Sequence, residues 1–462
     1  MTNTKILLPF FILLTLLTIF SFNIPFFWDS TFFSSLSVHF YNNGFDGFIA
    51  PEALDTGGFP LYSTYLTWMW KCFGKTLIVS HCAMLPFMLG LLYEFFKLCK
   101  RYLEDKAIVW ALILFCIEPV FLTQSMLMGY DIIIAYFFLL SLNALYSKRS
   151  ILFSIALLLL CLISIRGIML ASALFMIDSI QHKKIDFVLI RKYIPTFLFL
   201  SVWAYYHNQQ TGWLIFSPYR EDNAEELATG FMMVRQFIYI LWKILDNGRI
   251  ALWLVLMFFG FVYLKKGKTE AYHELMINLF LPLLMLSLFM IFLFNPIGHK
   301  YFLVVFILLN VAVVYLIQQI IAKKARIILY TLLSVCLLAG NFIIYPQRYG
   351  NAWDSSLKVI SYFPLEHKMR TYIKIKQIAP ETIGTQFPLT NNFHSSTLAD
   401  TPDVPYLDIE TNPINSFHYF LYSNIINSGR IDDLENVKKN WVVAKEYKSG
   451  MIELILYKNP NF

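Results

Sequence analysis

The chain has 462 residues, 58% hydrophobic and 18% aromatic, with only 15% charged and a net charge of +7. That is more apolar surface than a water-soluble core encloses, which excludes an ordinary soluble globular protein and points to a membrane. The positive excess lies beside the hydrophobic runs rather than in a basic patch, which excludes a nucleic-acid footprint.

A hydrocarbon core of about 30 Å takes roughly 20 apolar residues per helix. On that measure eleven spans are expected, at 6–27, 76–96, 107–127, 130–147, 150–165, 168–181, 192–208, 248–264, 273–294, 302–322 and 326–345. The fifth and sixth flank Arg166-Gly167, are individually short, and could count as one broken helix. Lys and Arg choose between the counts, because they favour the cytoplasmic side of short loops. With eleven spans and the N-terminus inside, seventeen basic residues face the cytoplasm: Lys5 and the groups within 97–106, 148–149, 183–192, 265–268 and 323–326. Eight face outward: Lys71, Lys75, Arg166, Arg220, Arg235, Lys243, Arg249 and Lys300. The odd count follows, with a transmembrane domain over 1–345 and an extracytoplasmic domain over 346–462. The first span is too long for a signal-peptide core and lacks a small-residue cleavage site, so it is expected to stay as an anchor. All six cysteines lie before residue 346, so neither a disulfide scaffold nor a CxxC metal site is expected in the C-terminal domain.

The first loop carries four carboxylates, Asp29, Asp46, Glu52 and Asp55. Asp46 and Glu52 read as acids that keep a loop solvated. Asp29 follows Phe26-Phe27-Trp28 just past the first span, at interface depth, where partial desolvation would sharpen it as a base. Asp55 precedes Thr-Gly-Gly-Phe-Pro, whose glycines permit close approach of backbone or ligand, and then an amphipathic aromatic segment expected to lie along the outer leaflet. Further on, Glu118-Pro119 interrupts the third span, Tyr130-Asp131 opens the fourth, and Gly298-His299-Lys300-Tyr301-Phe302 heads the tenth. A charged turn at 217–230 leads into a helix with an apolar face, either a cover for a groove or an interfacial helix.

Residues 346–462 balance twelve basic against twelve acidic residues and are Pro-punctuated and Asn-rich. "WVVAKEYKSGMIELILYK" reads as two strands around a Lys-Ser-Gly turn, and "DSSLKVI" and "IDDLENVKK" as short helices, which together make a small α+β module.

A membrane span, then Trp28-Asp29, then Asp55-Thr56-Gly57-Gly58-Phe59-Pro60-Leu61-Tyr62 and an aromatic helix ending in Phe73-Gly74: this order resembles the first loop of the GT-C glycosyltransferases of the protein O-mannosyltransferase and aminoarabinose-transferase type. The family's usual acidic pair is reduced here to Asp29, and Gly58-Phe59 stand where it often has His-Pro. The likeness extends over roughly the first 345 residues as an order of polar marks, and the C-terminal domain has no counterpart in it.

The resemblance implies an all-α polytopic enzyme that transfers a sugar from a polyprenyl-phosphate donor to an acceptor at the outer face. Asp29 and Asp55 are then the catalytic candidates, since one carboxylate suffices as base for an inverting displacement. A departing lipid phosphate wants cations, which nominates Arg166, His299 and Lys300. Asp131, Tyr301 and Tyr62, from the same marks, complete the substrate-binding set. Each has a plainer reading: Arg166 as the structural partner of Asp131 or Glu118, Lys300 as a snorkelling interfacial lysine, Asp131 as a helix cap. No cofactor is expected; four outer carboxylates could hold a divalent ion, but no spacing demands one. Two other classes fit the same composition, a lipid or glycan-precursor transporter and a non-catalytic assembly protein. The absence of an ER-retrieval tail and the compact loops suggest a bacterial inner membrane.

Overall fold

The structure is a computed structural model describing residues 3–214, 228–265, 267, 269–292, 297–342, 353–390, 393–399, 405–426 and 430–462. Most of the charged turn at 217–230, including Arg220, lies outside the described residues, as do Lys266, Lys268 and Arg348.

In chain order the helices of the first part are α1 (Asn3–Phe20), α2 (Asp29–Asn43), α3 (Leu61–Phe73), α4 (Leu77–Tyr102), α5 (Asp105–Cys116), α6 (Pro119–Met126), α7 (Asp131–Tyr146) and α8 (Ser150–Ile163). They continue as α9 (Ile165–His182), α10 (Phe187–Ile190), α11 (Ile194–Thr211), α12 (Phe231–Leu245), α13 (Ile250–Lys265), α14 (Glu270–Phe292), α15 (Leu303–Ile320) and α16 (Lys323–Gly340). Each of the eleven expected segments contains a helix. By length and hydropathy, however, only α1, α4, α14 and the 299–320 helix, among the described residues, suffice to cross a membrane. The pairs α5/α6 and α12/α13, bent by 57° and 89°, raise the number to six if each pair is one span.

The breaks have local causes. Pro119 cannot donate to the preceding turn and keeps Glu118 extended, so the chain bends there, and the Glu118 carboxylate caps α6 by accepting from the Phe121 N–H at 2.8 Å. The first apolar run is helical only to Phe20, not to residue 27. Pro25 disfavours helix at the residue before it, and the Phe26 N–H goes instead to the Ser396 carbonyl of the C-terminal domain at 2.9 Å. Asp29 therefore opens a helix, α2, inside what the sequence presents as a loop. The break between the fifth and sixth spans falls at extended Ser164, so Arg166 lies in the first turn of α9. Gly167 is required there because a Cβ would collide with the Leu160 carbonyl.

The C-terminal domain has helices α17 (Tyr362–Ile375), α18 (Phe393–Thr397) and α19 (Ile431–Asn440) and strands β1 (Ile383–Thr385), β2 (Leu407–Asp408), β3 (Tyr419–Ser423), β4 (Val442–Ser449) and β5 (Ile452–Lys458). The strands form one mixed sheet in the order β2-β1-β3-β5-β4. The β4–β5 hairpin turns through Gly450, whose φ of 57° suits glycine. "DSSLKVI" forms two short 3-10 turns, 353–355 and 357–361, rather than an α-helix.

Two cores result. The larger fills the helical part, where α15 is buried on every side. The smaller belongs to the C-terminal domain but takes in Ile24, Phe27 and Leu127 from the helical part, so the domain sits on one end of the bundle. At the opposite end Lys100 donates to the Asn3 side chain, Arg101 pairs with Glu274, and Arg101 stacks on Tyr146 at 4.0 Å.

Candidate functional site

Beneath the C-terminal domain, charges from distant parts of the chain meet. The Lys300 ammonium, 4% exposed, lies 2.7 Å from Asp29 Oδ2 and 2.6 Å from Asp354 Oδ2. Asp29 comes from the first turn of α2, Lys300 from the 3-10 turn that leads into α15, and Asp354 from the first turn of the C-terminal domain. Asp29 is the open member of the three, its side chain 33% exposed. Asp354 is fixed from two sides: Gln124 Nε2 donates to its carbonyl at 2.6 Å, and the Ser355 hydroxyl donates to its Oδ1 at 3.0 Å. Burial pushes the Asp354 carboxyl upward, but Lys300 and the Ser355 hydroxyl outweigh it and hold the group below the usual carboxylate range.

Beside this triad Arg166 forms an ion pair with Asp131, donates to the Tyr130 hydroxyl, and lies over the Tyr301 ring at 4.1 Å. Asp131 opens α7 but makes no capping bond; its Oδ1 is turned to the guanidinium, and Lys300 and Asp29 also act on it electrostatically. Six of the eight residues nominated from the sequence, Asp29, Arg166, Asp131, His299, Lys300 and Tyr301, thus belong to one charged cluster. His299 turns away from Lys300 to bond Asp246 Oδ2 at 2.7 Å.

Tyr62 links the cluster to a neighbouring pocket. Its ring stacks near Tyr130, with centroids 6.4 Å apart, and its hydroxyl donates to the Met128 carbonyl at 3.1 Å. On its other side lies a small cavity of about 20 Å³, room for about one water, lined by Phe32, Phe33, Asp55, Thr56, Phe59 and Tyr62 among others. Phe32 and Phe33 follow Asp29 at i+3 and i+4, so they continue its face of α2. Asp55 is in this pocket and not in the Lys300 triad. One of its oxygens accepts from the Gly57 N–H at 2.8 Å, and the other meets His207 Nε2 at 2.9 Å. The His207 ring also reaches the Trp213 carbonyl at 3.1 Å, which ties the first loop to the end of α11.

Sequence reading missed four members: Asp354, Asp246, His207 and the role of Arg249. Arg249, fully buried at the α12/α13 elbow, bonds Glu118 through Nε at 2.8 Å and lies over the Phe306 ring at 3.7 Å. The one signal in the sequence was a carboxylate and an arginine in otherwise apolar runs, each needing an opposite charge. Among the described residues, no group of three or more His, Cys, Asp or Glu side chains is gathered as a metal ion would require.

No family model matches the sequence, and neither a curated protein nor a solved structure matches it.

Proposed function

We propose that this chain is an inverting glycosyltransferase of the GT-C type, moving a sugar from a polyprenyl-phosphate donor to an acceptor hydroxyl at the end of the bundle covered by the C-terminal domain. The observation that carries the reading is the convergence of a half-open carboxylate, Asp29, with a buried cation, Lys300, and a second buried cation, Arg166, one aromatic ring away. Asp29 takes the acceptor proton as the acceptor oxygen attacks the anomeric carbon. The bond from that carbon to the phosphate oxygen breaks, its electron pair leaves with the lipid phosphate, and Lys300 and Arg166 meet the charge. One displacement inverts the centre, so no second nucleophilic carboxylate is needed. Asp55 serves the adjoining pocket. The orientation that goes with this places the N-terminus in the cytoplasm and the C-terminal domain in the periplasm of a bacterial inner membrane, with eleven crossings.

The test is Asp29→Asn in purified full-length protein reconstituted with a labelled polyprenyl-phosphate sugar and an extract of envelope acceptors. The variant is expected to keep its fold and its binding of lipid phosphate while losing transfer; unchanged transfer sinks the proposal. A second reading has Lys300's paired carboxylates behind it: the cluster is a clasp that docks the C-terminal domain, and the protein is a non-catalytic assembly factor. That reading expects no turnover from the unmodified protein and equal loss of stability from Asp29→Asn and Asp354→Asn.

A further inference from the structure

Lys300 has three N–H donors, and two are engaged by carboxylates that lie far apart in the sequence. A phosphate oxygen that takes either of these two positions on the ammonium displaces the carboxylate that holds it. Asp29 is a poor choice, because a base is wanted there and the residue opens a fifteen-residue helix. Asp354 is the better one: it sits in a three-residue 3-10 turn, held by the Gln124 side chain and its own neighbour Ser355. Its carboxylate presents to the ammonium what a phosphate would, an anionic oxygen at hydrogen-bond distance.

Resting on the glycosyltransferase reading, we propose that Asp354 competes with the departing lipid phosphate for the Lys300 ammonium, so that this residue of the C-terminal domain sets the site's affinity for the phosphate monoester that sugar transfer leaves behind. Formation of that monoester then exchanges one anion for another on Lys300 and frees the turn at 353–355. Because Gln124 belongs to α6 and the turn packs on that helix, the exchange is felt at the seam between the C-terminal domain and the bundle. The ligand chemistry is an anionic phosphate with no second ester, supplied either by a prenyl phosphate or by inorganic phosphate.

The experiment compares the full-length wild type with Asp354→Asn and Asp354→Glu in detergent, titrating farnesyl phosphate and, separately, inorganic phosphate. Asp354→Asn keeps the shape but removes the charge, and is expected to bind farnesyl phosphate about tenfold more tightly, the scale of one charge-assisted hydrogen bond. Asp354→Glu keeps the charge and is expected to stay near wild-type affinity. Weaker binding in both variants, with lowered thermal stability, assigns Asp354 a purely structural role and overturns the inference. Equal binding in all three proteins overturns it as well. Tightening for inorganic phosphate and farnesyl phosphate alike supports the competition and shows that the phosphate, not the lipid, is what Lys300 recognises. Binding of neither probe to any of the three proteins defeats the glycosyltransferase reading and this inference together.

Discussion

The two ends of the helical bundle handle charge differently. At the end away from the C-terminal domain, the cation of each ion pair keeps some access to solvent: Arg101, 40% exposed, reaches Glu274, Lys97, 34% exposed, reaches a buried Glu94, and Lys192, 15% exposed, reaches a buried Asp178. Beneath the C-terminal domain, Arg249 and Glu118 are 0% and 1% exposed, and Lys300 and Arg166 are buried with their partners. Surface pairs cost little and return little, whereas buried ions are costly to desolvate and are weak devices for stability. What sets the covered end apart is that both members of several ion pairs are buried there, on segments far apart in sequence, an arrangement that returns little stability for its desolvation.

Five substitutions sharpen that contrast. The largest effect is expected from Asp29→Asn, which should lower sugar transfer by about 10²- to 10⁴-fold, the usual worth of a positioned base. Glu274→Gln, at the far end, should leave transfer within about twofold, since exposed pairs contribute little; comparable losses in the two variants would erase the distinction between the ends. Next is Glu118→Ala, which strands the Arg249 charge and should cost about 3 to 5 kcal/mol of stability, read as thermal unfolding in detergent. The fourth concerns Lys358 in the C-terminal domain, whose ammonium is pushed down to about 8 by burial, with Asp246 drawing it back up, Lys243 adding to the depression, and Asp354 opposing it. Its folded pKa lies below the unfolded value, so the penalty is complete below about pH 8 and fades as pH rises toward the ordinary lysine range near 10.4. Lys358→Met should therefore stabilise the protein at pH 7 and lose that advantage by pH 10.5; an advantage constant across this range would contradict it. The smallest effect is Arg101→Ala, expected at no more than about 1 kcal/mol and shrinking further with added salt.

Much of the architecture was legible because it rests on local periodicity. Long apolar runs account for most of the helices that fill the large core, and the alternation around Lys448-Ser449-Gly450 for the β4–β5 hairpin with its turn. Helix α2 was not legible. "DSTFFSSLSVHFYNN" is rich in serine, threonine and aromatic residues, which form helices poorly on their own. It is held instead by hydroxyls that donate to carbonyls, as Ser35 and Ser37 do to Thr31 and Phe33, and by Ser34 reaching the Ser395 carbonyl 361 residues away. The site divides in the same way. Asp29, Arg166 and Lys300 stood out because each breaks an apolar context. Asp354 did not, because it begins a polar domain where carboxylates are unremarkable and its partner lies 54 positions earlier. Asp55 and His207, 152 residues apart, and Glu118 and Arg249, 131 apart, meet only through tertiary folding, which no period in the chain records.

The shared core around Ile24, Phe27 and Leu127 bears on how this protein can be dissected. A deletion placed at residue 345 does not cut between two independent modules. It strips aromatic packing from the first crossing's exit, takes away the carbonyl that receives the Phe26 amide, and removes one of the two anions that neutralise Lys300. Loss of function after such a truncation would therefore report damage to the helical half as much as loss of the missing half. Supplying the excised segment in trans, rather than comparing lengths, is the way to learn what it contributes.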